Sequence, residues 1–256
     1  MSAAAATGLR FRVAPAAVVL LAAGVAWLGV AAVERHMGPM PGTMGVGLGT
    51  FVAIWALMMA AMMLLSVAPF VSLYSRTIRG HRPARVSALL CGYLAVWIVA
   101  GIPAYGLAWL ADRAIAGHPA AATALAVAVL ALCGVYQLTP LKERCLARCR
   151  SPLGFVFRFA SFRGPTRDLR VGLYHGGYCL ACCWSLMALL VAFGFMSLTA
   201  MLVLTAVVLA EKLGPWPRGL SQVVGVAALG LAVAVLVDPQ LATGLHQTSS
   251  NMHSMS

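Results

Sequence analysis

The chain has 256 residues, 62% of them hydrophobic and 9% charged, with a mean hydropathy of +0.92. Soluble domains carry about a quarter charged residues, so a water-soluble enzyme and a disordered chain are both excluded: too few charges remain to cover a hydrated surface. Lys and Arg outnumber Asp and Glu by 18 to 6, a net charge of +12. These basic residues lie between apolar runs, which points to membrane topology and anionic lipid rather than to nucleic acid.

A membrane span needs roughly 20 mostly apolar residues to cross about 30 Å of hydrocarbon. Seven segments meet that requirement, at about 14–33, 46–70, 86–111, 120–138, 174–194, 196–212 and 219–237. They predict an all-α, polytopic transmembrane helix bundle, one domain over 1–238 with a basic loop at 139–172 and an exposed tail at 239–256. No long alternating pattern suggests a β-barrel. Sixteen of the 18 basic residues fall on one face of this bundle and only Arg35 and Arg113 on the other. By the positive-inside rule the amino terminus is then cytoplasmic and the carboxyl terminus outside. The first span follows Arg10 and Arg12 as a signal peptide would, but its apolar run is too long for one and reads as an uncleaved anchor.

The outward loop after the first span reads His36-Met37-Gly-Pro-Met40-Pro-Gly-Thr-Met44. The second span carries Met58-Met59-Ala-Ala-Met62-Met63, with Met58 over Met62 and Met59 over Met63 one turn apart. Cys91 and Cys133 are lone cysteines in apolar spans and read as core. The fourth span ends at Tyr136-Gln137, residues suited to cap or kink a helix before Thr139-Pro140. In the basic loop, Cys145 and Cys149 would share one face of a helix. Lys142, Arg144, Arg148 and Arg150 surround them, and cations of that kind favour thiolate over thiol. Pro152–Phe162 mixes aromatics with Arg158 and reads equally as a headgroup-layer segment or as a loop against the bundle.

The fifth span opens with Cys179-Leu-Ala-Cys182-Cys183, followed one turn later by Met187. His175 lies four residues before Cys179 on the same helical stripe and is a candidate ligand or proton acceptor. At 1.5 Å per residue, Met62 and Cys183 lie roughly 10 Å and 14 Å above the cytoplasmic face, close enough in depth to share a site. The fifth and sixth spans form a tight hairpin, and Glu211-Lys212 at the end of the sixth reads as an interfacial pair. The tail holds His246, Met252, His253 and Met255.

Thiols and thioethers are soft ligands that select copper(I) over hard cations, and a bound metal offsets the charge of a buried thiolate. The candidate metal ligands are therefore Cys179, Cys182 and Cys183, with Met62, Met63 and Met187 as weak partners, His175 as an accessory, and Cys145 and Cys149 as a cytoplasmic relay. Copper(I) is the first ion these residues suggest and zinc the second. Met and His outside, with Cys inside, suit copper(I) passage or scavenging.

These motifs resemble a family of uncharacterised prokaryotic proteins described as predicted metal-binding integral membrane proteins. The residues that carry the resemblance are Trp55…Met58-Met59-Ala-Ala-Met62-Met63-Leu-Leu-Ser66…Pro69, Tyr136-Gln-Leu-Thr-Pro140-Leu-Lys142…Cys145…Cys149-Arg-Ser-Pro152, and Gly176-Gly-Tyr-Cys179-Leu-Ala-Cys182-Cys183-Trp184-Ser-Leu-Met187, followed by Glu211-Lys212. The resemblance implies a multi-span architecture and a metal site at the cysteines.

Three functions compete at this stage. The first is a membrane protein that binds or handles a soft metal, exchanging it with a metallochaperone or a larger membrane enzyme. The second is a non-catalytic accessory subunit that packs through the small-residue faces Gly172…Gly176 and Gly225…Gly230. The third is a thiol-disulfide oxidoreductase working between Cys145/Cys149 and Cys182/Cys183. No phosphate loop, hydrolase triad or haem-attachment motif accompanies them, and an ATP-driven pump is excluded by size.

Overall fold

A computed structural model describes residues 3–37, 42–78, 82–117, 119–151, 154 and 162–242. The described residues are helical throughout: α1 (Ala3–Met37), α2 (Leu48–Thr77), α3 (Arg82–Gly117), α4 (Pro119–Gln137), α5 (Pro140–Cys149), α6 (Arg167–Phe193), α7 (Leu198–Leu213) and α8 (Pro217–Val237), then a 3-10 turn at Pro239–Leu241. Met37, Met40, the Pro152–Phe162 segment apart from Gly154 and Phe162, and the His246–Met255 tail lie wholly or in their side chains outside the described residues.

Six of these helices, α1 to α4, α6 and α8, are long and apolar enough to cross a membrane. This is one fewer than the seven expected. The difference is α7, whose 16 residues rise only about 24 Å. Its last turn carries Glu211 and Lys212, both buried against polar groups of neighbouring helices, while Leu213 and Trp216 just beyond are exposed. The outer surface is apolar, with Leu21, Leu28, Val99 and Val237 all well exposed. This is a surface for hydrocarbon rather than water.

The ends of the helices follow from local chemistry. Thr139 caps α5 by accepting a hydrogen bond from the Lys142 amide, and Pro140, which lacks an N–H, both ends α4 and starts α5. The 139–172 loop is thus largely structured at its start, and α6 begins at Arg167, a full two turns before the expected 174. Ser197 caps α7 through the Ala200 amide. Between α6 and α7 lies the expected tight hairpin: Gly194, with φ of 95°, takes a conformation that favours glycine and reverses the chain.

The closest helix pair is α3 with α6. A Cβ at Gly92 would strike the Leu169 carbonyl, and one at Gly172 would strike the Leu89 carbonyl. Gly176 meets the Tyr93 carbonyl in the same way, and Gly225 meets Gln137 at the end of α4 and Leu138 just after it. The small-residue faces expected to receive a partner are therefore spent largely on packing within the chain. At one end of this pair, Arg85 of α3 grips Asp168 of α6 through two hydrogen bonds of 2.8 and 3.0 Å. Tyr74 of α2 donates to the same carboxylate at 2.5 Å. Cys133 is buried as expected, whereas Cys91 is exposed on α3 and is not a core residue.

Candidate metal centre

The site is assembled by a polar knot at the level where α4, α7 and α8 meet. Glu211 on α7 is fully buried and accepts from three donors: Lys142 Nζ at 2.7 Å, Gln137 Nε2 at 3.0 Å and Ser221 Oγ at 3.1 Å. Lys142 also donates to the Cys182 carbonyl at 2.6 Å. A buried ion pair is tolerated only when its remaining hydrogen-bonding capacity is filled, and here Gln137 and Ser221 fill it on the carboxylate side. Nearby, Tyr136 donates its hydroxyl to the Ala181 carbonyl. Tyr136 and Gln137 therefore do more than cap α4: they tie its end to α6 and α7.

Lys142 lies on the inner face of α5 together with Leu146 and Cys149, at spacings of four and three residues, and both Lys142 and Leu146 are buried. Anchoring Lys142 thus turns Cys149 toward α6. There its thiol is close enough to Cys179 and Cys182 to interact with both. The interaction with Cys179 first, and burial with it, push the Cys149 thiol up to about 12. Cys179, Cys182 and Cys183 are all buried on the inner face of α6. Cys182 and Cys183 have their sulfurs 3.3 Å apart, and Cys182 reaches back to the Cys179 carbonyl at 3.2 Å. Four of the seven cysteines are in this way brought together from two helices.

A cation completes the cluster. Lys212 Nζ lies 2.9 Å from Cys179 Sγ and 3.1 Å from Ser66 Oγ on α2. Tyr93 Oη on α3 is 3.0 Å from the same sulfur and donates to the Met63 carbonyl at 3.3 Å. Glu211 and Lys212 are consequently not a pair with each other, as the sequence suggested. Adjacent residues on a helix point about 100° apart, so Glu211 faces Lys142 and Lys212 faces Cys179. Among the described residues, no three histidine, cysteine or carboxylate side chains form a preformed metal cage. The thiols are instead held by hydrogen bonds to one another, to Tyr93 and to the Lys212 ammonium.

The remaining expected residues take different places. Met62, Met63 and Met187 are buried in the same core, with Met63 joined to Cys179 only through its carbonyl and Tyr93. His175 is buried one turn before Cys179, its ring stacked flat on Phe70 at 4.2 Å. Cys145 is half-buried against the core one turn before Cys149. Sequence reasoning missed Lys142 and Tyr93 and misplaced Lys212. The available signal for Lys142 was its position in register with Leu146 and Cys149 on an otherwise basic helix.

The pattern of a family described as PpoB2, copper chaperone, matches residues 52–235 of the chain. The chain belongs to this copper chaperone family. The matched span holds α2 to α8 nearly complete, with all four clustered cysteines and both buried lysines. No curated protein and no solved structure matches the chain. Membership in this family, with six apolar helices of membrane-crossing length, is that of a membrane protein that handles copper.

Proposed function

We propose that the chain binds copper(I) as cargo at Cys149, Cys179, Cys182 and Cys183, within a multi-pass bundle in a prokaryotic cytoplasmic membrane. The observation that carries this reading is the burial of Cys179, Cys182 and Cys183 on one face of α6, with the Cys182 and Cys183 sulfurs 3.3 Å apart, the Lys212 ammonium 2.9 Å from Cys179 and Cys149 of α5 facing them. Copper(I) is content with two or three soft donors, and thiolate is the softest donor that proteins offer. A copper(I) ion held by two thiolates bears one net negative charge. Lys212 supplies one positive charge at the site, and Lys142 with Glu211 adds none. The loaded site is therefore neutral, which is the condition for burying it.

Ligation asks only for local change. A thiol rotating about its Cα–Cβ bond exchanges a sulfur or hydroxyl hydrogen bond for a metal bond, and the long Lys212 side chain can withdraw toward Ser66. Binding displaces protons from the thiols, as at any thiolate site. Cys149 stands on the short amphipathic α5, the least embedded of the four. It is the residue placed to take copper from, or give it to, a metallochaperone or a membrane enzyme. Cys145, His175 and the methionines lie outside the first set of donors in this reading.

The test is competition for copper(I) between a chromogenic chelator and the full-length protein in lipid nanodiscs. The expected result is one tightly held copper(I) per chain, lost in a Cys179→Ser/Cys182→Ser/Cys183→Ser variant. Equal copper content in the two proteins would overturn the proposal.

A further inference from the structure

Thirteen methionines occur in the chain, and the side chains of eight of them are described. All eight are buried, none more than 4% exposed. The exposed large apolar residues are instead Leu, Val, Ile, Trp and Tyr, with no methionine among the described ones. Methionine is as much at home against hydrocarbon as leucine, so hydrophobicity alone does not sort it to the inside. Its thioether is the property that differs.

The buried methionines also lie at successive heights. Cys179, Met63 and Lys212 share one level, because Tyr93 joins the first two and Lys212 touches Cys179. Counting about 1.5 Å per helical residue from that level, Met62, Met59 and Met58 on α2 rise to roughly 8 Å. Met187 on α6 lies about 12 Å up and Met201 on α7 about 16 Å up. Met196, in the turn between those helices, lies at roughly 24 Å, and Met44, next to the Thr43 that Asp112 of α3 holds, at roughly 28 Å. Successive methionines differ by no more than about 8 Å in height, and α7, which carries Met201, packs against both α2 and α6.

Met44 at the far end shows that this placement is imposed. It is the one described residue other than glycine with positive φ, at 58°, and it is 4% exposed. A long side chain seldom adopts that conformation unless the surroundings demand it. The demand comes from Asp112 on α3, which accepts from the Thr43 amide at 2.9 Å and the Thr43 hydroxyl at 2.5 Å. That clamp turns the next residue, Met44, into the core rather than out to the expected loop surface.

We infer that the buried methionines form a thioether track along which copper(I) moves between the cysteine cluster and the Met44 end of the bundle. This rests on copper(I) binding at the cluster. Each step forms one copper–sulfur bond as another breaks. The ion stays copper(I) throughout, so no electron donor or acceptor is needed. When it leaves the cluster, the thiolates regain their protons or their contact with Lys212.

The test uses the full-length protein in liposomes that enclose a copper(I) chelator, with ascorbate-reduced copper supplied outside. Two variants replace sulfur with carbon at similar volume, Met44→Leu and Met59→Leu/Met187→Leu. The expected result is unchanged copper bound per chain and a rate of copper capture inside the liposomes at least tenfold lower in both variants. Met44→Cys, which restores a soft donor at the strained position, keeps the rate within threefold of wild type. Wild-type rates in both leucine variants, or a wild-type rate no faster than protein-free liposomes while the cluster binds copper, would overturn the inference. Failure of the cluster itself to bind copper would register separately, in the bound-copper measurement, and would overturn the proposed function first.

Discussion

Replacing Glu211 with Gln removes the carboxylate that neutralises Lys142 while keeping nearly the same volume. Lys142 and Glu211 side chains are 0% and 1% exposed, and their contact is 2.7 Å. Removing one partner of such a pair leaves an unpaired buried charge, at a cost of about 3–5 kcal/mol. The remaining Lys142 contact, to the Cys182 carbonyl, cannot neutralise it. The strain is relieved most cheaply by lifting α5 off α6 so that Lys142 reaches water. At about 1.4 kcal/mol per tenfold, that cost corresponds to roughly a hundredfold or more in the opening equilibrium of α5. Because Cys149 moves with α5, the opening is read directly as the rate at which Cys149 reacts with a maleimide, in a background where the other cysteines are serine. Glu211→Gln is expected to react about a hundred times faster than its parent. The control is Glu143→Gln, which breaks the exposed Arg218–Glu143 contact of 3.4 Å, 77% exposed on the arginine side. Pairs of that kind contribute a few tenths of a kcal/mol, so the control stays within about threefold. If Glu211→Gln reacted no faster than the control, the Lys142 anchor would not be what positions Cys149.

Three further outcomes follow from the same geometry. Cys149→Ser is expected to weaken copper(I) binding at least tenfold in chelator competition, whereas Cys145→Ser leaves it within about twofold; the reverse order would mean that α5 presents its other face to the site. Lys212→Met removes the one cation that balances a bis-thiolate copper(I) complex, and the affinity falls at least tenfold, while Lys212→Arg retains most of it. Gly172→Leu forces α6 away from the Leu89 carbonyl of α3, and the melting temperature in detergent drops by several degrees, in line with overpacking costs of about 1–3 kcal/mol; an unchanged melting temperature would show that the helices are not in contact there.

Much of the fold was legible because it is dictated by hydrocarbon. Apolar runs of 20 or more residues leave a chain few alternatives to a helix bundle, and six of the seven expected spans are helices of membrane-crossing length. The hairpin at Gly194 was legible because almost no residues separate the two runs. The exception, α7, was misread because hydropathy counts apolar residues without asking where a helix stops. Leu198–Leu213 is apolar enough but only 16 residues long, and its last turn carries Glu211, whose partner Lys142 lies nearly seventy residues away in the chain. For the same reason Glu211 and Lys212 looked like a pair. Sequence proximity suggested one, and only the approach of α5 and α2 shows that each faces a different neighbour.

The cysteines divide along a similar line. The three on α6 follow helical spacing and were visible as a set. That Cys149 joins them and Cys145 does not depends on the rotation of α5 about its axis. Lys142 fixes that rotation, and in sequence it is one of several basic residues in a basic loop. Met44 was expected in a surface loop because glycines and prolines surround it; the Thr43–Asp112 clamp that turns it inward is a contact across 69 residues. Long-range polar contacts inside an apolar bundle thus decide the site, and local pattern carries little information about them.

X-ray absorption at the copper edge, on full-length protein reconstituted in lipid and loaded with one copper(I), reads the ligands of the ion themselves. The expected first shell is sulfur alone, two or three atoms, and it loses a sulfur in Cys149→Ser and is unaltered in Cys145→Ser. A first shell of nitrogen or oxygen, or a sulfur shell indifferent to both substitutions and to Cys179→Ser/Cys182→Ser, would contradict it.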